Sequence, residues 1–227
     1  MKVKVIVIDA DHTLHEFDKK KKERAYREFY KYLSKKLNIQ QEIIGKFFLE
    51  TVGEIKESKN PKERKREYSL KKTLDKLGLE YSEEIIINSL KIFWNELLNS
   101  IIVKEGVIEF LEKYKDSYTI GIFTDEFKEI VEKKLEKVFG KWKKYFKFLI
   151  TPEITNEMKP SEKYYDKILE ITNVKEKEVA VFGNSWEKDL RIAKDKGIFT
   201  VLISNKKKGF PDIFVKDFKE LDEKKIF

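Results

Sequence analysis

The stretch VIVIDADHTL, residues 5–14, decides the fold. Residues 3–8 are nearly all β-branched and mostly apolar, with no polar alternation. That is the signature of a strand buried on both faces, as in a parallel sheet. The run ends on two carboxylates, Asp9 and Asp11, with one residue between them and Thr13 at the same spacing. Like charges this close cost free energy unless a cation or a shared proton offsets them. The end of this strand is therefore the first candidate for chemistry.

Working outward, YTIGIFT (118–124), VAVF (179–182) and TVLI (200–203) read as strands of the same kind, with weaker candidates at KFLI (147–150) and IFV (213–215). Between them lie helical stripes: Val107, Ile108 and Leu111; then Phe127, Ile130, Val131, Leu135 and Val138; then Tyr164, Tyr165, Ile168 and Leu169. A short helix around Leu190 and Ala193 ends near Gly197, a candidate cap. Strands alternating with helices imply right-handed crossovers and an α/β fold, a Rossmann-like parallel sheet with helices on both faces.

Residues 16–102 break that alternation. Tyr26, Phe29, Tyr30, Leu33 and Leu37 form one apolar stripe, and Ile86, Leu90, Phe93, Trp94 and Leu97 another. KESKNPKER (56–64) and LGLEYS (77–82) are connections between helices. The expected organisation is an α/β core from 1–15 and 103–227, interrupted by an all-helical cap domain over 16–102.

The 227 residues, 41% of them hydrophobic and including 17 Phe and 10 Tyr, can build a sizeable core, which argues against disorder. No apolar run reaches membrane-spanning length or resembles a secretory leader, so no membrane partner is expected. The absence of cysteine excludes disulfides, thiolate catalysis and cysteine-bound zinc, and makes the cytoplasm the expected location. Charged residues reach 40%, a bias associated with proteins of hot environments and equally with AT-rich genomes. The net charge of +8 includes runs at Lys19–Lys22 and Lys206–Lys208. Both runs are short and set among Glu, so they read as solvated surface, and nucleic acid is not expected as a partner.

In an open parallel sheet, ligands bind beyond the carboxyl ends of the strands. There the sequence places Asp9, Asp11 and Thr13; Thr124 and Asp125; Asn184 and Ser185, followed by Asp189; and Lys159-Pro160 ahead of a helix with Ser161 as its candidate N-cap. Oxygen ligands of this kind suit Mg²⁺. A carboxylate can attack phosphorus, a second can protonate the leaving oxygen, and a lysine with a hydroxyl can neutralise the phosphoryl oxygens.

These motifs, in this order, resemble the haloacid dehalogenase superfamily in its phosphatase branch. DADHT resembles the nucleophile motif DxDxT, IGIFTD the second motif, MKPSEKYY the Lys-Pro motif, and VFGNSWEKD the metal motif GDSxxxD. The helical insertion falls where capped members of the superfamily carry theirs. The resemblance implies Asp9 as nucleophile and metal ligand. Asp11 becomes the general acid/base, with its main-chain carbonyl also on the metal. Thr124 and Lys159 become the groups that hold the phosphoryl oxygens. Asn184 and Asp189 complete the Mg²⁺ site, and Asn184 departs from the usual Asp. Thr13 supports the loop, while Asp125, Ser185 and His15 are expected around the bound substrate. His12 and His15 are expected to be exposed or to line the approach to the site. Trp186 is a further candidate for shaping the pocket. The implied activity is hydrolysis of a small phosphorylated metabolite, with a phosphomutase or a non-catalytic, polyanion-binding member as alternatives. Metal-free dehalogenation is disfavoured by Asp11, which dehalogenases of the superfamily lack.

Overall fold

In the computed structural model, which describes residues 3–223, the opening run forms strand β1 (Val5–Asp9), with all five residues buried. The chain separates into two compact units. One comprises the residues up to Glu16 and those from Ile102 onward, the other Phe17–Ile101. At the two crossings lie short strands, β2 (His15–Phe17) and β3 (Ile101–Val103), which pair with each other as a ribbon. The segment read as wholly helical thus begins and ends on strands. Three residues are too few to establish a period, so IIV at 101–103 carries no strand signal of its own.

The inserted unit holds helices α1 (Lys19–Leu37), α2 (Gln41–Ile55), α3 (Arg66–Lys76) and α4 (Glu83–Leu98). Asp18 caps α1 by accepting from Lys21 N, and Ser82 caps α4 by accepting from Ile85 N, which satisfies otherwise orphaned amides. Asn38 ends α1 in the left-handed conformation. Phe29, Leu33, Phe48, Leu70, Leu74, Ile86 and Phe93 form the core of this unit. The rings of Phe48 and Phe93 both meet Phe29 edge-on, at centroid distances of 5.3 and 5.6 Å.

The α/β unit continues through α5 (Val107–Tyr114), β4 (Thr119–Phe123), α6 (Lys128–Phe139), β5 (Phe148–Ile150), α7 (Pro152–Thr155) and α8 (Glu162–Thr172). It is completed by β6 (Val179–Gly183), a π-helical turn (Trp186–Leu190), α9 (Arg191–Asp195), β7 (Phe199–Ile203), β8 (Ile213–Val215) and α10 (Lys219–Glu223). Six strands pair in the order β5-β4-β1-β6-β7-β8, parallel throughout.

The sheet is buried on both sides, which explains the unbroken apolar run. Ile6 and Ile8 join Phe110, Val131 and Leu135 in one core, while Val5 and Val7 join Tyr164, Tyr165 and Ile168 in the other. In β4, Gly121 leaves room for the Phe148 ring of β5, whose Cζ lies 2.2 Å from where a Cβ would stand. The strand order reverses at β1, with β4 on one side and β6 on the other. Such a reversal opens a crevice at the carboxyl ends of those strands.

Candidate active site

Asp9 closes β1 level with Phe123 of β4, so the loops after β1, β4 and β6 leave the sheet side by side. Its two carboxylate oxygens have different partners. Oδ1 accepts from Lys159 Nζ at 2.6 Å, and Oδ2 from Thr13 Oγ1 at 2.8 Å. Burial, aided by the nearby Asp189 carboxylate, pushes the Asp9 carboxyl up to about 7 against the opposing pull of Lys159 and Thr13.

Lys159 is the hub. Its ammonium bridges Asp9 Oδ1 and Asp189 Oδ1, the latter at 2.7 Å, and lies 4.3 Å from the centroid of the Phe123 ring. Burial works against its charge, but the two carboxylates outweigh it and hold the ammonium protonated well beyond the ordinary lysine range. Asp125 fixes the backbone here, its Oδ1 accepting from Lys159 N at 2.6 Å. Its carboxylate thus positions the backbone of the lysine.

Asp189 is set in turn by the end of β6, the loop after it and α8. Ser185 N donates to its Oδ2 at 2.9 Å, Tyr165 Oη donates to its main-chain carbonyl at 2.7 Å, and Gly183 makes room for it. A Cβ on Gly183 would come within 2.4 Å of Asp189 Cβ. The Ser185 hydroxyl accepts from Lys188 N, so it caps the π-helical turn. Thr124, buried at the end of β4, likewise accepts from Glu126 N at 3.1 Å and carries its hydroxyl at the same sheet edge.

Asp11 belongs to a separate charge cluster. Lys134 Nζ lies 2.9 Å from each of its oxygens and 2.7 Å from Glu126 Oε2. Burial tends to raise the Asp11 carboxyl, yet Lys134 and His15 bring it below its ordinary value. His15 is fully buried, with Nε2 3.3 Å from Asp11 Oδ1, and is neither exposed nor lining an approach. The backbones of Asp11 and His15 also bridge in the turn after β1. Burial outweighs the Asp11 carboxylate and depresses the imidazole to about 4. His12, in the left-handed region at φ 64°, is the exposed member of the pair.

Sequence reasoning missed Lys134, Glu126 and Tyr165 as parts of the site. Lys134 had a signal. It falls on the apolar stripe of α6 between Val131 and Leu135, a place where an unpaired lysine would not be tolerated.

No group of three or more His, Cys, Asp or Glu side chains able to hold a metal occurs among the described residues. Asp9 Oδ2 and Asn184 Oδ1 do meet at one hydroxyl, at 2.8 and 3.4 Å from Thr13 Oγ1. One carboxylate and one amide oxygen, with the Asp11 carbonyl and water, fit the partial oxygen set that Mg²⁺ accepts. Asp189 is committed to Lys159 and the Ser185 amide.

Residues 37–203 match the haloacid dehalogenase-like hydrolase family. Curated protein sequences give no match. Among solved structures, a HAD phosphatase from Thermococcus onnurineus is 24% identical, over 98% of this chain and 97% of that one, with a TM-score of 0.71. A 2-haloacid dehalogenase from Pseudomonas syringae is 19% identical over 97% of each chain, with a TM-score of 0.74. A protein described as a HAD-hydrolase from Bacillus subtilis, solved bound to magnesium, is 16% identical over 98% of each chain, with a TM-score of 0.69.

Proposed function

The chain belongs to the haloacid dehalogenase-like hydrolases, and from that premise we propose that it is a cytoplasmic Mg²⁺-dependent phosphatase of a small phosphorylated metabolite. One observation carries the reading. A second carboxylate, Asp11, stands two residues beyond the buried Asp9, in its own charged setting with Lys134 and His15. Attack on carbon needs a nucleophile but no acid for an alkoxide. Phosphate ester cleavage needs both.

In this reading Asp9 attacks phosphorus, and the bond from phosphorus to the ester oxygen breaks. Asp11 gives a proton to that departing oxygen, which requires that substrate binding first break its ion pair with Lys134, since that pair holds the carboxylate ionised. Asp11 then takes a proton from water as the water attacks phosphorus, and the phosphorus–Asp9 bond breaks to release phosphate. Lys159 neutralises the phosphoryl oxygens as charge develops, and the Thr124 hydroxyl donates to them. Asp9, the Asn184 amide oxygen and the Asp11 carbonyl would hold Mg²⁺. When bound, the ion would supply positive charge favouring the ionised form of Asp9 and attracting the phosphate. The magnesium bound to the Bacillus subtilis neighbour supports this choice.

A second reading has one observation in its favour: Lys159 already places a cation between Asp9 and Asp189. That arrangement could serve carbon attack on a 2-haloacid. The deciding experiment is hydrolysis of para-nitrophenyl phosphate by wild type and Asp9→Asn, with Mg²⁺ and with chelator, alongside halide release from 2-chloropropionate. Phosphate release that needs both Asp9 and Mg²⁺ is expected. Halide release without phosphate release would overturn the phosphatase reading.

A further inference from the structure

Next to the catalytic cluster, in the same unit, lies a cavity of about 290 Å³. Asn184, Ser185, Trp186, Ser204, Lys206 and Lys208 contribute to its wall. Its volume lies near the lower end of small-ligand pockets. Asn184 links the two: it contributes to the cavity wall, and its Oδ1 lies 3.4 Å from Thr13 Oγ1, the hydroxyl that bonds the nucleophile Asp9. The cavity therefore adjoins the site of attack through Asn184.

The charge balance of the cavity points to an anion. Among the described residues, Lys206, Lys207 and Lys208 make no ion pair with a carboxylate, whereas basic residues nearby do. Lys194 pairs with Asp212 and Lys196 with Asp166. Glu187, the carboxylate in the cavity wall, is matched by Arg191 at 2.9 Å. The cavity wall thus keeps the positive charge of Lys206 and Lys208, and Ser185 and Ser204 contribute to the same wall.

The loop bearing these lysines is built against the cavity. Gly209, at φ 64°, lies so close to the Trp186 indole that a Cβ would fall 2.0 Å from it, so only glycine lets the loop close down here. Phe210, 84% exposed, meets Trp186 edge-on at 6.5 Å. An aromatic wall suits the carbon skeleton of a small ligand, and the ammonium groups suit its charge.

We propose that this cavity receives a second anionic group of the substrate, so that the enzyme acts on small molecules carrying a phosphate ester at one end and another oxyanion a few bonds away. The proposal rests on the phosphatase reading for the chemistry at Asp9, but its binding half stands apart from turnover.

The test compares propane-1,3-diyl bisphosphate with propyl phosphate, in wild type and in Lys206→Ala/Lys208→Ala. Wild type is expected to favour the bisphosphate in kcat/KM by about tenfold or more, as charge-assisted hydrogen bonds imply, and the double variant to lose that preference. Lys175→Ala/Lys177→Ala removes equal charge at the opposite end of β6 and is expected to keep it. Equal preference in wild type and Lys206→Ala/Lys208→Ala, or no preference in wild type, would overturn the proposal. If the protein turns over neither ester, the fluorescence of Trp186, read as the difference between wild type and Trp186→Phe, still decides. A saturable change with the bisphosphate that disappears in Lys206→Ala/Lys208→Ala supports the cavity as a second-anion site even as the phosphatase reading falls, and its absence overturns both.

Discussion

Lys134 Nζ lies 2.9 Å from both carboxylate oxygens of Asp11, joining α6 to the loop after β1 across 123 residues of sequence. The lysine is nearly inaccessible and also holds Glu126 at 2.7 Å. Replacing it with methionine would leave two partly buried carboxylates facing each other without their cation. Removing one partner of a buried ion pair typically costs about 3–5 kcal/mol. Lys134→Met is therefore expected to lower stability by that order, and the double variant Lys134→Met/Glu126→Gln to recover part of it. Urea unfolding of the two proteins measures both effects. Equal stability of wild type and Lys134→Met would show that the cluster contributes nothing.

A different balance governs Asn184. One ammonium, Lys159, now serves the two carboxylates Asp9 and Asp189. Asn184→Asp would add a third negative charge close to Thr13 and Asp9. Without metal, the expected outcome is a lower melting temperature, because like charges accumulate. With Mg²⁺ the sign reverses, since affinity rises with ligand charge, and half-saturation is expected at roughly tenfold lower concentration. Melting curves across a Mg²⁺ titration test both arms, and an unchanged Mg²⁺ requirement would remove Asn184 from the ligand set.

Gly183 is predicted to be nearly irreplaceable. Its missing side chain makes room for Asp189, whose Cβ would sit 2.4 Å from an added methyl. Gly183→Ala must push Asp189 away from Lys159, to which it now bonds at 2.7 Å. Overpacking of this kind costs about 1–3 kcal/mol, and a displacement near 1 Å at a reacting group costs on the order of 100-fold in rate. The variant is expected to fold but to lose most of its turnover of para-nitrophenyl phosphate. Unaltered turnover would show that Asp189 can move without consequence.

These contacts also show why some features were legible in the sequence and others were not. The strands announced themselves because a parallel sheet buries both faces: Val5 and Val7 enter one core, Ile6 and Ile8 the other. No polar alternation then interrupts the run. Asp9, Lys159 and Asp189 could be grouped because each follows a strand or precedes a helix at one sheet edge. The role of Lys134 could not be read in the same way. Its partners Asp11 and Glu126 become neighbours only when α6 packs against the sheet, and nothing in local spacing fixes that pairing. The burial of His15 and the backbone contact of Asp125 were hidden for a related reason. A polar residue at a strand end looks the same whether it faces a ligand, bonds the Lys159 amide, or turns inward toward Asp11.

The buried imidazole of His15 leads to a prediction about acid. In the folded chain it titrates at about 4, against 6.5 for an unhindered histidine, because burial disfavours its charge. Between those values the unfolded chain binds a proton that the folded chain refuses. Protonation therefore draws the protein toward unfolding as pH falls. The contribution of His15 is fully present above about 6.5 and is lost progressively on the way down to about 4. A shift of this size corresponds to on the order of 3 kcal/mol. Urea unfolding of wild type and His15→Gln across pH 7.5 to 4.5 isolates it, since the other titrating groups are common to both proteins. The wild type is expected to lose stability more steeply than His15→Gln over this range, the difference between them changing by ~2–3 kcal/mol. Parallel curves would mean that the imidazole accepts its proton in the folded state, drawn by the Asp11 carboxylate 3.3 Å away.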